Sequence, residues 1–158
     1  MSSDPERTLH YAVDVTVDDA WAIIDFLTPR LESLERTYDG GTEEHRTAAA
    51  LGEAMSVLFL ALELEIRGPG VGRHRNRSAA PPAIGPSPTE DERIVEKKRR
   101  LTRIAEYWNQ LCGIVRPWSE SKGYDRARWH PVTFLDMAAE DEHHRRVTEA
   151  GLRRTHQS

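Results

Sequence analysis

Residues 42–67 read TEEHRTAAALGEAMSVLFLALELEIR, and the periodicity of this stretch decides the fold class. Leu51, Met55, Leu58 and Leu62 recur at steps of three and four residues, which lays them along one face of an α-helix. Phe59, Leu60 and Leu64 spread apolar character around most of the circumference, so this is predicted to be the most buried helix of the molecule. Glu43 and Glu44 sit in its first turn, where the positive end of the helix dipole favours carboxylates. Gly52 and Ser56 are small and four apart, which suits close approach by a neighbouring helix. Glu63, between Leu62 and Leu64, reads as a rim residue rather than a buried functional acid. The longest apolar stretch, residues 54–62, is broken by Ser56 and falls well short of the roughly 20 residues that span a bilayer, so a core helix is expected and no membrane partner.

Upstream, Val17, Ala20, Ile24, Leu27, Leu31, Leu34 and Tyr38 again alternate in steps of three and four, predicting a first helix. Thr16 is placed to cap it, and Asp18 and Asp19 suit its first turn. Pro29 removes a backbone donor inside this run, so a kink or a restart capped by Thr28 is expected. The segment Asp39-Gly40-Gly41 ends the helix, because glycine accepts the left-handed conformation of a C-cap. Before the helix, Leu9, Tyr11, Val13, Val15 and Val17 alternate with more polar residues, the pattern of a half-buried strand. Such a strand needs a mate, and the run Val132-Thr133-Phe134-Leu135 or a second copy of the chain is the candidate.

Downstream, residues 68–88 (GPGVGRHRNRSAAPPAIGPSP) offer almost nothing to bury and read as a disordered linker. Thr89 and Glu92 then form a Thr-x-x-Glu capping box that opens a third helix. Ile94, Leu101, Ile104, Trp108, Leu111 and Val115 are its predicted inner face, with Lys97 intruding. Arg116-Pro117 closes it, since a residue before proline avoids helical geometry. Trp118 to Pro131 is an irregular aromatic segment. A weaker last helix is expected from Thr133 to Glu149, with Phe134, Leu135 and Ala138 inward and fraying from about residue 150. The expected architecture is therefore mainly α: one domain over 1–158, a small bundle of three long helices plus a weaker C-terminal helix, with room for one short N-terminal strand pair.

Charge is sorted along the chain. Residues 1–66 hold fourteen acids against four bases, whereas residues 67–103 hold ten bases against four acids, within a net charge of −4. The basic belt divides into Arg73, His74, Arg75 and Arg77 on the linker and Lys97, Lys98, Arg99, Arg100 and Arg103 on the third helix. Cations on an extended arm and along a helix suit a phosphate backbone; equally, the helix cations suit the acids of the first two helices. Trp118 and Trp129, interleaved with Arg116, Arg126, Arg128 and His130, suit stacking or a protein hot spot, or else anchor the irregular segment in the core. The nine residues named on the linker and third helix, with Trp118 and Trp129, are the candidate macromolecule-binding set.

Other patterns bound the chemistry. Glu140 and His144 are four apart, but His143 and His144 are adjacent and diverge, so no metal site is expected. Ser119-x-x-Lys122 matches a nucleophile motif without its companion signatures. Arg67 and His74 have the spacing of an Arg-x6-His motif resembling that of helical RNases with a four-helix fold, in which the motif begins a helix; here it crosses Gly68-Pro69-Gly70-Val71-Gly72. Cys112, the only cysteine, sits beside Leu111 and reads as a small core residue in a reducing, cytoplasmic setting. The N-terminus lacks the basic and apolar regions of a signal peptide. Arginine outnumbers lysine nineteen to three, a bias of GC-rich bacterial genomes such as actinobacterial ones. No catalytic, cofactor or metal set emerges. The reading is a small non-enzymatic helical interaction or accessory protein with a protein partner, or a homodimer mate, ahead of a nucleic acid. A nucleic-acid-associated protein is the alternative, and a helical-bundle hydrolase or RNase-like toxin the second.

Overall fold

A capping box opens α1 (Val17–Thr37): Thr16 N–H donates to Asp19 Oδ2 at 2.8 Å, and Asp19 N–H donates to Thr16 Oγ1 at 3.3 Å. The computed structural model to which this belongs describes residues 8–68 and 89–156, so the linker and its basic arm lie outside the described residues. Contrary to the expected break, α1 runs uninterrupted through Pro29. Asp25, whose carbonyl loses its donor to the proline, lies on the exposed side, where the carbonyl remains open to solvent. The same turn is braced by Arg30, whose Nη1 donates to the Phe26 carbonyl at 2.6 Å while its guanidinium lies 3.7 Å over the Phe26 ring.

The second helix, α2 (Glu43–Arg67), is capped by Thr42, which accepts from His45 N–H at 3.2 Å. It closes on Gly68, whose φ of 79° is the left-handed geometry that favours glycine. The Thr89–Glu92 capping box opens α3 (Glu90–Val115). α1 and α3 both lie against α2. The core between them is built from Ile23, Leu27 and Leu31 of α1, Met55, Phe59 and Leu62 of α2, and Leu101, Ile104, Trp108, Leu111 and Val115 of α3. Each such side chain contributes about 1.5–3 kcal/mol on burial.

Several expectations are corrected. α2 is not the most buried helix: Val57, Leu60 and Leu64 are 61%, 59% and 69% exposed, because α1 and α3 cover one side and no described element covers the other. By length and composition alone α2 is long and apolar enough to cross a membrane. Ile94 is exposed rather than inward. The first turns of α3 run past the end of α2, since Gly68 already lies beside Arg100.

The alternating run at 9–17 is not a strand. Residues Ala12–Asp14 form a 3₁₀ turn, and Leu9, Ala12 and Val15 are the buried set, the period of three that such a turn imposes. Its mate is nonetheless where expected: Tyr11 and Phe134 form a single parallel bridge, with Ala12 N–H donating to Phe134 O and Val13 N–H to Leu135 O, both at 3.0 Å. The last helix, α4 (Met137–His156), starts later than predicted. Asp136 Oδ1 accepts from Ala139 N–H at 2.8 Å and so caps it. It also continues past the expected fraying point, with residues 141–153 all exposed.

Candidate functional site: the apolar face of α2 and α3

Pro117 ends α3, and the chain tightens there into a 3₁₀ turn, Arg116–Trp118. That turn lays the half-buried Trp118 ring beside α2. An apolar groove of about 630 Å³ results, with Leu51, Ala54 and Leu58 of α2 on one wall and Ile114, Pro117 and Trp118 on the other. Gly113 also lines the groove, and a Cβ built there would meet nothing within 4 Å. On the other side of Trp118 a second depression of about 390 Å³ is edged by Glu43 and Glu44. The groove continues onto the outer side of α2, where Val57, Leu60 and Leu64 stand in solvent. Val57, Leu60 and Leu64 thus extend the apolar character of the groove walls onto exposed surface.

Among the described residues, the predicted site residues do not gather into one patch. Arg73, His74, Arg75 and Arg77, and with them the Arg67–His74 pair, fall outside the described residues. Lys97 and Lys98 are exposed near the N-terminal end of α3. Both line a separate groove of about 340 Å³, facing Asp136 and Glu142 at the start of α4. Arg99 lies 3.6 Å from Glu96 of its own helix, and Arg103 lies 3.2 Å from Glu65 of α2. Arg100 is half-buried beside Gly68, and its Nε has no hydrogen-bond partner among the described residues. Trp118 occupies the opposite end of α3 from these cations. Trp129 is 5% exposed and packs edge-on against Phe26 and Tyr124, with ring centroids 5.0 and 5.1 Å away. It anchors the irregular segment in the core.

Anchoring also draws on Asn109, which no sequence pattern singles out, and on the indole N–H of Trp108. Asn109 clasps Val132 twice: its Oδ1 accepts from Val132 N–H at 2.8 Å, and its Nδ2 donates to Val132 O at 3.2 Å. Trp108 Nε1 donates to His130 O at 3.1 Å. Beside them a polar cleft of about 660 Å³ is lined by Arg116, Ser119, Arg126 and His130. Arg126 is held there by Ser119 O and Glu120. Burial pushes the Cys112 thiol on the cleft wall up to about 12, which denies it the thiolate form a nucleophile needs. Glu140 is committed to His10 at 2.6 Å and Tyr11 at 3.3 Å. Its hydrogen bond from His10 holds the carboxyl below its ordinary value, against the opposing pull of burial. Glu63 lies at the rim, 3.2 Å from Arg67.

No protein-family model matches the sequence, and no curated protein or solved structure matches it significantly.

Proposed function

We propose that this is a non-enzymatic helical interaction protein of a bacterial cytoplasm, whose α2–α3 face holds an apolar helix of a protein partner. The observation that carries this reading is the exposed line of Val57, Leu60 and Leu64 beside the groove at Trp118. A groove between two helices, walled by apolar side chains, is the form in which amphipathic helices are received. The test is a photo-crosslinking residue placed at Leu58 or Leu60 in the producing cell, with the adduct identified by mass spectrometry. A single protein adduct, lost when Trp118→Ala is added, supports the reading; absence of any adduct at both positions overturns it.

A nucleic-acid-associated role is the second reading, supported by Lys97 and Lys98 standing exposed on the projecting end of α3. It requires retention on DNA or RNA that falls steeply with salt and is reduced by Lys97→Glu with Lys98→Glu. Retention unaffected by either would exclude it.

A further inference from the structure

The outer side of α2 carries a second pattern, distinct from its core stripe. Ala50, Ala54, Val57, Ala61 and Leu64 follow one another at steps of four, three, four and three residues, the spacing of a coiled-coil seam. Ala50, Ala54, Val57 and Leu64 are exposed and Ala61 is half-buried. Small side chains along such a seam let two helix backbones approach closely. From these observations we infer that the occupant of the α2–α3 face is α2 of a second copy of this chain, lying antiparallel and related by a twofold axis. This deepens the reading of that face as a docking surface and rests on it.

Self-complementarity sets the register. In an antiparallel pair the seam layers match Val57 with Ala54 of the second copy, Ala50 with Ala61, and Thr47 with Leu64. Val57 and Leu64 each meet a smaller side chain, Ala50 and Ala61 meet as two alanines, and the pattern repeats by symmetry, as a closed twofold interface requires. The same register fixes where the charges fall. Within one copy α3 runs antiparallel to α2, with Arg103 opposite Glu65 at one end and Trp118 beside Leu51 at the other. A second α2, antiparallel to the first, therefore runs parallel to α3, and its acidic first turn reaches the level of Arg100.

Arg99 and Arg103 lie on the groove side of α3, at helical spacing from Gln110 and Ile114, and both guanidinium groups are substantially exposed. Glu43 and Glu44 of the second copy arrive between them. Arg103 keeps Glu65 and still has donors to spare, since a guanidinium carries five. The twofold axis makes the contact twice. The acidic first segment and the basic third helix thus meet across the interface as well as within each copy.

The test is the solution mass of the full chain by light scattering. The expected mass is twice 18.0 kDa. Ala54→Glu with Val57→Glu alters only exposed positions and is expected to yield a folded monomer, with dissociation at least about a hundredfold stronger and helical circular dichroism unchanged. A charge exchange is the second arm. Glu43→Lys with Glu44→Lys in one preparation, and Arg99→Glu with Arg103→Glu in another, each weakens the homodimer, and the mixture restores it as a heterodimer. A monomeric parent chain, a dimer that survives Ala54→Glu with Val57→Glu, or a mixture that fails to pair overturns the dimer. If the parent is monomeric yet its groove still crosslinks another protein, the docking reading survives without the dimer. If a monomeric parent instead sediments with phosphatidylglycerol vesicles and Val57→Glu abolishes this, the face belongs to lipid and both proposals fall.

Discussion

Nη1 of Arg128 lies 3.4 Å from Oδ1 of Asp19, joining residues 109 apart in sequence. The Asp19 side chain is fully buried, and its other oxygen, Oδ2, accepts both the N–H and the hydroxyl of Thr16. One carboxylate therefore closes the first turn of α1 and clasps the irregular segment that follows α3. Arg128 also lies 3.1 Å from Asp125, within its own loop.

Asp19→Ala removes the reciprocal half of the capping box and leaves a largely buried guanidinium with Asp125 alone among the described residues. The expected loss is about 3–5 kcal/mol in urea unfolding, as for one partner of a buried pair. Arg128→Met is expected to cost at least half as much, with a non-additive double variant showing that the two residues act as one unit.

The two candidate tryptophans should separate cleanly. Trp129→Ala opens the core beside Phe26 and Tyr124 and is expected to cost about 3–5 kcal/mol. Trp118→Ala, in the half-buried groove wall, should cost under about 2 kcal/mol. Thermal unfolding of both variants checks the order, and a reversal would mean that the groove wall is structural.

Cys112 is predicted to resist thiol reagents in the folded protein. Its thiol, pushed up to about 12 by burial, remains protonated at neutral and mildly alkaline pH. The measurement is reaction with an aromatic disulfide at pH 8 with and without denaturant. Full labelling only in denaturant is the expected outcome.

Glu140 gives the attachment of α4 an acid limit. Its carboxyl is lowered in the folded state by the hydrogen bond from His10, so above its unfolded value it binds no proton in either state and its contribution is complete. Between the unfolded and folded values the unfolded chain binds more protons, and the contribution is lost as pH falls through the folded value. The contact between Glu140 and His10 should therefore loosen only as pH falls through this lowered folded value, below the ordinary carboxylate range. NMR shifts of the Phe134 ring, which lies 5.4 Å from His143, follow it, and Glu140→Gln should abolish that pH dependence.

Much of the fold was legible along the chain. Most of the inner face of α3 (Ile94 excepted), the Leu27 and Leu31 stripe of α1, and the caps at Thr16 and Thr89 follow from periodicity and backbone chemistry, which are local properties; α3 does stop before Pro117, although Arg116 keeps helical geometry. The mate of the N-terminal segment was also legible, since Phe134 lies in one of only two short runs of strand-like residues. The candidate site was not. Phe59 and Leu60 are adjacent and similarly apolar, yet Phe59 is 7% exposed and Leu60 59%. Hydrophobicity alone carries no information about which side of α2 its neighbours occupy.

Amino-acid order alone was sufficient for the helix count, the caps and the sorting of charge, because each depends on residues within a few positions of one another. Three outcomes needed the folded chain. Trp129 went to the core while Trp118 stayed at a groove. Asp19 met Arg128 across the molecule. The apolar circumference of α2 divided into a packed side and an open one. The reason is physical: burial and long-range pairing depend on which elements share a volume, and only the packing of α1 and α3 on one side of α2 decides that.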